Sequence, residues 1–131
     1  MVEIDARQSQ GQSTHKTILV CDDEPSLREL VRAVLGGRYT FIEVADGHQA
    51  LALTRKLRPD LLVLDLMLPG LSGIEVLAAI RADEELRSLP VMVVTAWSHA
   101  AASAIEAGAD RFVAKPFEPD ELSEAVEELL A

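Results

Sequence analysis

The chain has 131 residues, of which 49% are hydrophobic and 26% charged, a composition typical of one ordinary domain with a core of its own. Its 22 acidic and 12 basic residues give a formal net charge of −10, which repels a phosphate backbone and predicts no direct binding of nucleic acid. One cysteine excludes an intrachain disulfide, and no apolar run approaches the ~18 residues of a membrane span. These features predict a cytoplasmic protein without membrane insertion.

The beginning of the chain differs in composition from the rest. Residues 1–16, MVEIDARQSQGQSTHK, are rich in Gln and Ser and show no sustained hydrophobic period. We therefore predict a disordered tail over residues 1–16 and one folded domain over residues 17–131.

Short apolar runs alternate with segments of helical period after the tail. The apolar runs predict five strands: Thr17–Cys21, Tyr39–Val44, Leu61–Asp65, Val91–Thr95 and Arg111–Ala114. The helical segments predict five helices: one that begins near Pro25 and ends before Gly36, one over His48–Leu57 after Asp46, one beginning at the capping box Ser72–Glu75, a weaker one over His99–Ala107, and one from Pro119 onward.

The strands are apolar along nearly their whole length, so both faces of the sheet must be covered by helices. Strict alternation of strand and helix with right-handed crossovers predicts a doubly wound α/β fold with a parallel sheet. In such sheets ligands bind outside the carboxyl ends of the strands.

Polar side chains stand at or just after the ends of four of the predicted strands. They are Asp22 and Asp23 after the first strand, Asp65 at the end of the third, Thr95 at the end of the fourth and Lys115 after the fifth. Each alone is commonly a cap or a loop residue. With the strand order 2-1-3-4-5, all five converge on one crevice.

Three carboxylates so close together raise one another's pKa, and a cation must relieve them. A carboxylate-rich set of oxygen ligands favours Mg²⁺, whereas the lone cysteine and the scattered His15, His48 and His99 do not suit zinc. A Mg²⁺ beside an aspartate, faced by an ammonium and a hydroxyl, suits a phosphoryl group carried on that aspartate.

These residues, with their neighbours, resemble the receiver domain of two-component response regulators. The matching segments are Asp22-Asp23, Asp65 followed by LMLPGLSG, Thr95-Ala96, Gly108-Ala109-Asp110 and Lys115-Pro116-Phe117. The resemblance implies a flavodoxin-like fold with five strands and five helices. It also implies that Asp65 accepts a phosphoryl group from a phosphohistidine of a histidine kinase or histidine phosphotransfer protein, and that a downstream protein target reads the result.

The resemblance further assigns the metal ligands. It implies that Asp23, Asp65 and the backbone carbonyl of Met67 bind Mg²⁺, and that Asp22 assists largely through water. By the same implication, Thr95 and Lys115 bind the phosphoryl oxygens, and the Lys115–Pro116 peptide bond is cis.

The same resemblance implies a conformational switch and bears on the lifetime of the phosphoryl group. Phosphorylation draws Thr95 toward the phosphate, and Phe112, three residues before Lys115, moves into the space behind it; a plain core role for Phe112 is the alternative. Met67 and Trp97 occupy positions where the family tunes hydrolysis. We predict slow self-dephosphorylation because Trp97 shields the acyl phosphate, or else Trp97 points outward as a partner contact.

The leading hypothesis is therefore a phosphorylated signalling switch and not an enzyme, with self-dephosphorylation as its one catalytic property. An Asp-nucleophile phosphatase of the haloacid-dehalogenase type needs a second aspartate where Met67 stands. A receiver-like interaction module that takes no phosphate, or a receiver fragment of a larger regulator or hybrid kinase, stays open. The segment from Thr95 to Gly108 is slightly short for a receiver, and the chain end from Glu118 is acidic throughout.

Overall fold

The computed structural model describes residues 15–131, which alternate between strand and helix. The elements are β1 Lys16–Cys21, α1 Pro25–Leu35, β2 Tyr39–Val44, α2 Gly47–Leu57, β3 Leu61–Leu64, α3 Gly73–Ala82, β4 Val91–Thr95, α4 Ala101–Glu106, β5 Arg111–Ala114 and α5 Pro119–Leu130. The tail predicted over residues 1–16 lies outside the described residues apart from its last two positions, and Lys16 is already the first residue of β1. None of the helices within residues 15–131 has the length and apolarity to cross a membrane.

The five strands form one parallel sheet in the order β2-β1-β3-β4-β5, which confirms the predicted doubly wound, flavodoxin-like architecture. Alternate side chains of each strand enter two separate apolar cores, one on each face. Leu19 and Leu62 belong to one core, and Ile18 and Val63 to the other. The helices cover both faces, as strands that are apolar on both sides require.

The central strand β1 ends in a buried thiol. Cys21 is 1% exposed, and burial together with the neighbouring Asp22 raises the pKa of its thiol well above the usual range. Cys21 pairs in register with Val44 of β2 and Leu64 of β3. The residues that follow these paired positions therefore emerge side by side at the carboxyl edge of the sheet.

The starts of α2 and α3 are fixed by the capping residues that the sequence predicts. The carboxylate of Asp46 accepts a hydrogen bond from the backbone N–H of Gln49 at 2.8 Å. At α3, Ser72 and Glu75 form both bonds of a capping box, with distances of 3.2 and 3.0 Å. A β-carbon on Gly73 would lie 2.4 Å from the backbone oxygen of Asp65, so glycine lets α3 begin directly against that strand end.

Strand β1 and helix α2 each begin one residue before the predicted start, and two further elements differ from the predicted ones. Strand β3 ends at Leu64, so Asp65 lies one residue beyond the strand rather than at its end. The helix predicted over His99–Ala107 is a 3₁₀ turn, Ser98–Ala100, followed by the six-residue α4. No side chain caps the start of α4, and in the 3₁₀ turn that precedes it the backbone N–H of Ala100 donates to the carbonyl of Trp97 at 3.0 Å.

Candidate functional site

Three charged side chains meet at the carboxyl edge of the sheet. Lys115 follows β5, and its ammonium donates to Oδ2 of Asp22 at 2.7 Å and to Oδ2 of Asp65 at 2.8 Å. The side chains of the lysine and the two aspartates are 13%, 3% and 7% exposed. The sequence places these residues 93 and 50 positions apart, and the strand order brings them together.

Asp65 is held from two sides. Its second oxygen, Oδ1, accepts a hydrogen bond from the backbone N–H of Met67 at 3.1 Å. Burial raises the pKa of Asp65, but the bonds from Lys115 and Met67, the charge of Lys115 and the nearby hydroxyl of Thr95 outweigh burial, and the pKa lies below its ordinary value. At neutral pH the side chain of Asp65 is therefore an ionised carboxylate, whose oxygens can act as nucleophiles.

Asp22 carries the opposite shift. Burial raises the pKa of Asp22 above its ordinary value, although Lys115 and the backbone N–H of Glu24, which donates to Oδ1 at 2.9 Å, work against burial. Burial also lowers the pKa of Lys115, but its bonds to Asp22 and Asp65 prevail and the pKa of the lysine is raised. The carboxylate of Glu24 lies 3.7 Å from the lysine ammonium at the exposed rim.

Asp23 completes an acidic cluster. One carboxylate oxygen from each of Asp22, Asp23 and Asp65 lies within 4.8 Å of the other two, and Asp23 is the exposed member. Three carboxylates face one ammonium here, so the cluster keeps an excess of negative charge. Oxygen donors at this spacing, open to water on one side, fit a hard divalent cation such as Mg²⁺.

The remaining predicted residues surround this cluster. Thr95 is fully buried at the end of β4, and its hydroxyl accepts from the N–H of Trp97 at 3.4 Å. Phe112 on β5 is half-buried, pairs in register with Val93 and packs against the core that contains Leu64. The Lys115–Pro116 peptide bond is cis.

Met67 and Trp97 border a groove next to the acidic cluster. The groove has a volume of about 450 Å³, and its lining is apolar except for Asp23 and Ser72. Met67 is 47% exposed and Trp97 is 46% exposed. Trp97 thus stands at the mouth of the site and not in the core, which both hypotheses for its role require.

One contact at the site has no counterpart in the sequence pattern. Arg28 of α1 donates from Nη1 to the backbone oxygen of Asp22 at 2.6 Å, and from Nε to Glu43 of β2 at 3.1 Å. The helical period of α1 places residue 28 beside the apolar stripe and does not show what its side chain reaches. The partner Glu43 is fifteen residues away and is brought near by the sheet.

A doubly wound five-stranded sheet with an acidic cluster, a lysine and a threonine at its carboxyl edge defines the receiver class of signalling domains. Residues 18–127 match the family model described as response regulator receiver domain. The chain belongs to this family, the receiver domains of two-component response regulators.

Relatives of known sequence and structure agree with this membership. The DNA-binding response regulator MtrA of Mycolicibacterium smegmatis is 46% identical over 108 residues, which are 80% of this chain and 46% of that protein. The chemotaxis response regulator CheY4 of Vibrio cholerae superimposes with a TM-score of 0.82 at 28% identity, covering 89% of this chain and all of that one. The receiver domain of sensor histidine kinase PA1611 from Pseudomonas aeruginosa PAO1 gives 0.80 at 30% identity over 89% and 98%, and its structure holds a magnesium ion in the active-site cleft.

The relatives also correct one prediction. The net charge predicted no direct contact with nucleic acid, yet the curated relative is a DNA-binding response regulator. The chain spans about half the length of the curated relatives it matches, and the charge of that half says nothing about what the rest of such a protein binds. The prediction was wrong because it applied the electrostatics of one domain to every contact that the protein makes.

Proposed function

We propose that this domain is a phosphorylation-activated switch of a two-component phosphorelay, in which Asp65 accepts a phosphoryl group. The observation that carries the proposal is the environment of Asp65: a buried, ionised carboxylate at the sheet edge, 2.8 Å from a lysine ammonium and beside two further carboxylates. The donor is a phosphohistidine on a histidine kinase or histidine phosphotransfer protein.

The transfer is an in-line displacement at phosphorus. A carboxylate oxygen of Asp65 forms the new P–O bond while the P–N bond to the donor imidazole breaks, and the electron pair of that bond stays on the imidazole nitrogen. Lys115 stabilises charge on the phosphoryl oxygens, because its ammonium already lies 2.8 Å from Asp65. The Met67 N–H keeps the carboxylate oriented during the attack.

The carboxylates of Asp22, Asp23 and Asp65 and the backbone carbonyl of Met67 are the proposed holders of Mg²⁺. Bound there, the ion supplies neutralising charge to the phosphoryl oxygens. The structure of the PA1611 receiver with magnesium supports this part of the proposal.

The switch uses Thr95 and Phe112. A phosphoryl group on Asp65 offers new acceptor oxygens to the Thr95 hydroxyl, and a shift of Thr95 frees space that Phe112 can enter. A charge-assisted hydrogen bond contributes roughly 1.5–3 kcal/mol, whereas inverting a population from 1:99 to 99:1 needs about 5.5 kcal/mol. Burial of Phe112 and pairing of Lys115 must therefore contribute to a full response.

The surroundings of the switch belong to the same proposal. The signalling unit is the domain predicted over residues 17–131, which the structure extends by Lys16 of β1, and it acts in the cytoplasm on a downstream protein target. Catalysis is limited to self-dephosphorylation. Asp23, Asp65, Thr95 and Lys115 are all in place at the site, which disfavours a module that takes no phosphate.

The test is the intact mass of the protein after incubation with Mg²⁺ and acetyl phosphate. We expect the wild type to gain one phosphoryl group, and chelation of Mg²⁺ with EDTA to prevent the gain. Asp65→Asn should show no gain, whereas the control Asp110→Asn, at the opposite edge of the sheet, should gain as the wild type does. A wild type whose mass does not change with Mg²⁺ present, or an equal gain in Asp65→Asn, would contradict the proposal.

A further inference from the structure

Arg28 connects the acidic cluster to the edge strand of the sheet. Its guanidinium donates from Nη1 to the backbone oxygen of Asp22 at 2.6 Å and from Nε to Oε1 of Glu43 at 3.1 Å. Arg32, one helical turn further along α1, donates to the other oxygen of Glu43 and has no hydrogen bond to Asp22. The side chains of Arg28 and Glu43 are 17% and 26% exposed, so the fork formed by the two hydrogen bonds of the Arg28 guanidinium is largely shielded from water.

The oxygen that Arg28 holds belongs to the peptide that joins Asp22 to Asp23. The carboxylate of Asp22 has fixing bonds of its own, from Lys115 and from the N–H of Glu24. Within residues 15–131, no hydrogen bond or ion pair holds the carboxylate of Asp23, which is exposed. The direction of the Asp23 side chain therefore depends on the orientation of this peptide.

We propose that Arg28, itself held by Glu43, is a positioning residue for the cation site and sets the direction in which Asp23 presents its carboxylate. This inference rests on the proposed function, because it concerns the same site and its Mg²⁺. It assigns to α1 and β2 a part in cation affinity although neither contributes a ligand. Outer contacts that orient metal ligands commonly change affinity by about tenfold or more.

The charge of Arg28 and its hydrogen bond to the Asp22 carbonyl have opposite expected effects on Mg²⁺ affinity. An arginine bound to the backbone oxygen of Asp22 repels a divalent cation held by the neighbouring carboxylates, so removing its charge alone would tighten Mg²⁺ binding. Removing the hydrogen bond to the Asp22 carbonyl loosens the peptide and would weaken binding. The sign of the change thus separates the two effects.

The experiment is a calorimetric titration of the full chain with MgCl₂, with fluorescence of the single tryptophan, Trp97, as a second readout because it borders the groove at Asp23. We expect Arg28→Gln to raise the dissociation constant about tenfold. Arg28→Lys should also bind more weakly than the wild type although its charge is unchanged, since one ammonium cannot reproduce the fork. The matched control Arg32→Gln removes the same charge from the next turn and should bind as tightly as the wild type or more tightly.

Equal or tighter binding in Arg28→Gln would overturn the inference, as would equal weakening in Arg28→Gln and Arg32→Gln. No Mg²⁺ binding by the wild type would overturn the proposed function instead, so the two failures are distinguishable. Thermal unfolding of each variant is measured in parallel. If Arg28→Gln does not fold, Glu43→Gln replaces it: this variant keeps an acceptor for Arg28 but loses the ion pair, and it should weaken binding in the same direction by a smaller factor.

Discussion

The two edges of the sheet both carry ionic networks, but they balance charge differently. At the amino-terminal edge, Arg81 donates to the carbonyls of Arg87, Leu89 and Gly108 and to the carboxylate of Asp110, at 2.7 to 3.0 Å. Asp110 also accepts from the backbone N–H of Val91 at 2.8 Å. One cation there meets one anion, whereas at the carboxyl edge one lysine binds two members of a cluster of three aspartates.

The difference separates a structural network from a binding site. The network around Arg81 is complete within the protein and joins α3 to the segments that lead into β4 and β5. The cluster around Asp65 keeps an excess of negative charge, which a cation can neutralise. Mutations at the amino-terminal edge should therefore change stability alone, and mutations at the carboxyl edge should change binding and chemistry as well.

The largest expected effect on stability is that of Lys115→Met. It leaves Asp22 and Asp65 buried without a cation, and breaking such a pair from one side costs about 3 kcal/mol. Urea unfolding at neutral pH without Mg²⁺ measures this loss, and added Mg²⁺ should reduce it. If Mg²⁺ does not change this loss of stability, the ammonium of Lys115 and the cation do not neutralise the same carboxylates.

The difference in stability between the wild type and Lys115→Met should depend on pH. The lowered pKa of Asp65 gives stability that is present above the unfolded pKa of about 3.9 and is lost as pH falls through the lower folded pKa. The raised pKa of Lys115 gives stability that is present below about 10.4 and is lost as pH rises through the higher folded pKa. The gap in stability between wild type and Lys115→Met should be widest between about pH 5 and 9. A gap that does not shrink outside this window would refute the assignment.

Arg81→Met should have a smaller effect on stability and none on chemistry. It removes charged hydrogen bonds but leaves the carbonyls near solvent, so we expect a loss of about 2 kcal/mol in urea unfolding. Phosphoryl uptake, measured by intact mass, should equal that of the wild type. Reduced uptake in folded Arg81→Met would break the distinction between the two edges.

Thr95→Ala should separate chemistry from response within the carboxyl edge. We expect it to take up the phosphoryl group, since Thr95 is not the acceptor, and to lose most of the accompanying change at Phe112. Fluorine NMR of protein labelled with fluorophenylalanine reports that change, with Phe41 at the far edge strand as an internal control. A full shift of the Phe112 resonance in Thr95→Ala would remove Thr95 from the switch.

The smallest expected effect concerns the lifetime of the phosphoryl group. Trp97→Glu should shorten the half-life several-fold, because it removes an apolar ring at the mouth of the site and adds a group that can orient water. Ile105→Glu is the matched control, since Ile105 on α4 is 49% exposed and lies outside that groove. An unchanged half-life in Trp97→Glu would favour the alternative, an outward partner contact.

The parts of the molecule that the sequence predicts are those with local or additive signals. Apolar runs located all five strands, and caps such as Ser72 located helix starts. The position of Asp65 at the carboxyl edge of the sheet was predictable because it follows a fully buried strand. The short α4 was less predictable, since an alanine-rich segment without a cap leaves helix and 3₁₀ turn close in free energy.

The contacts that the sequence could not predict are those between side chains on different elements. Arg28 reaches Glu43 and the Asp22 carbonyl through the register of β1 with β2, and neither spacing nor composition encodes that register. Arg81 similarly meets carbonyls from two separate loops. Such contacts depend on tertiary placement, and a structure is needed to find them.

The single thiol of the chain offers a way to time the opening of this sheet. Cys21 is enclosed between β2 and β3 immediately before Asp22, so an alkylating reagent can reach it after the middle of the sheet has separated. The rate of alkylation would then measure how often β1 separates from its neighbours. The fluorescence of Trp97 would report on the groove beside Asp23. One sample could thus show whether a ligand bound at the carboxyl edge of the sheet slows the local opening of β1.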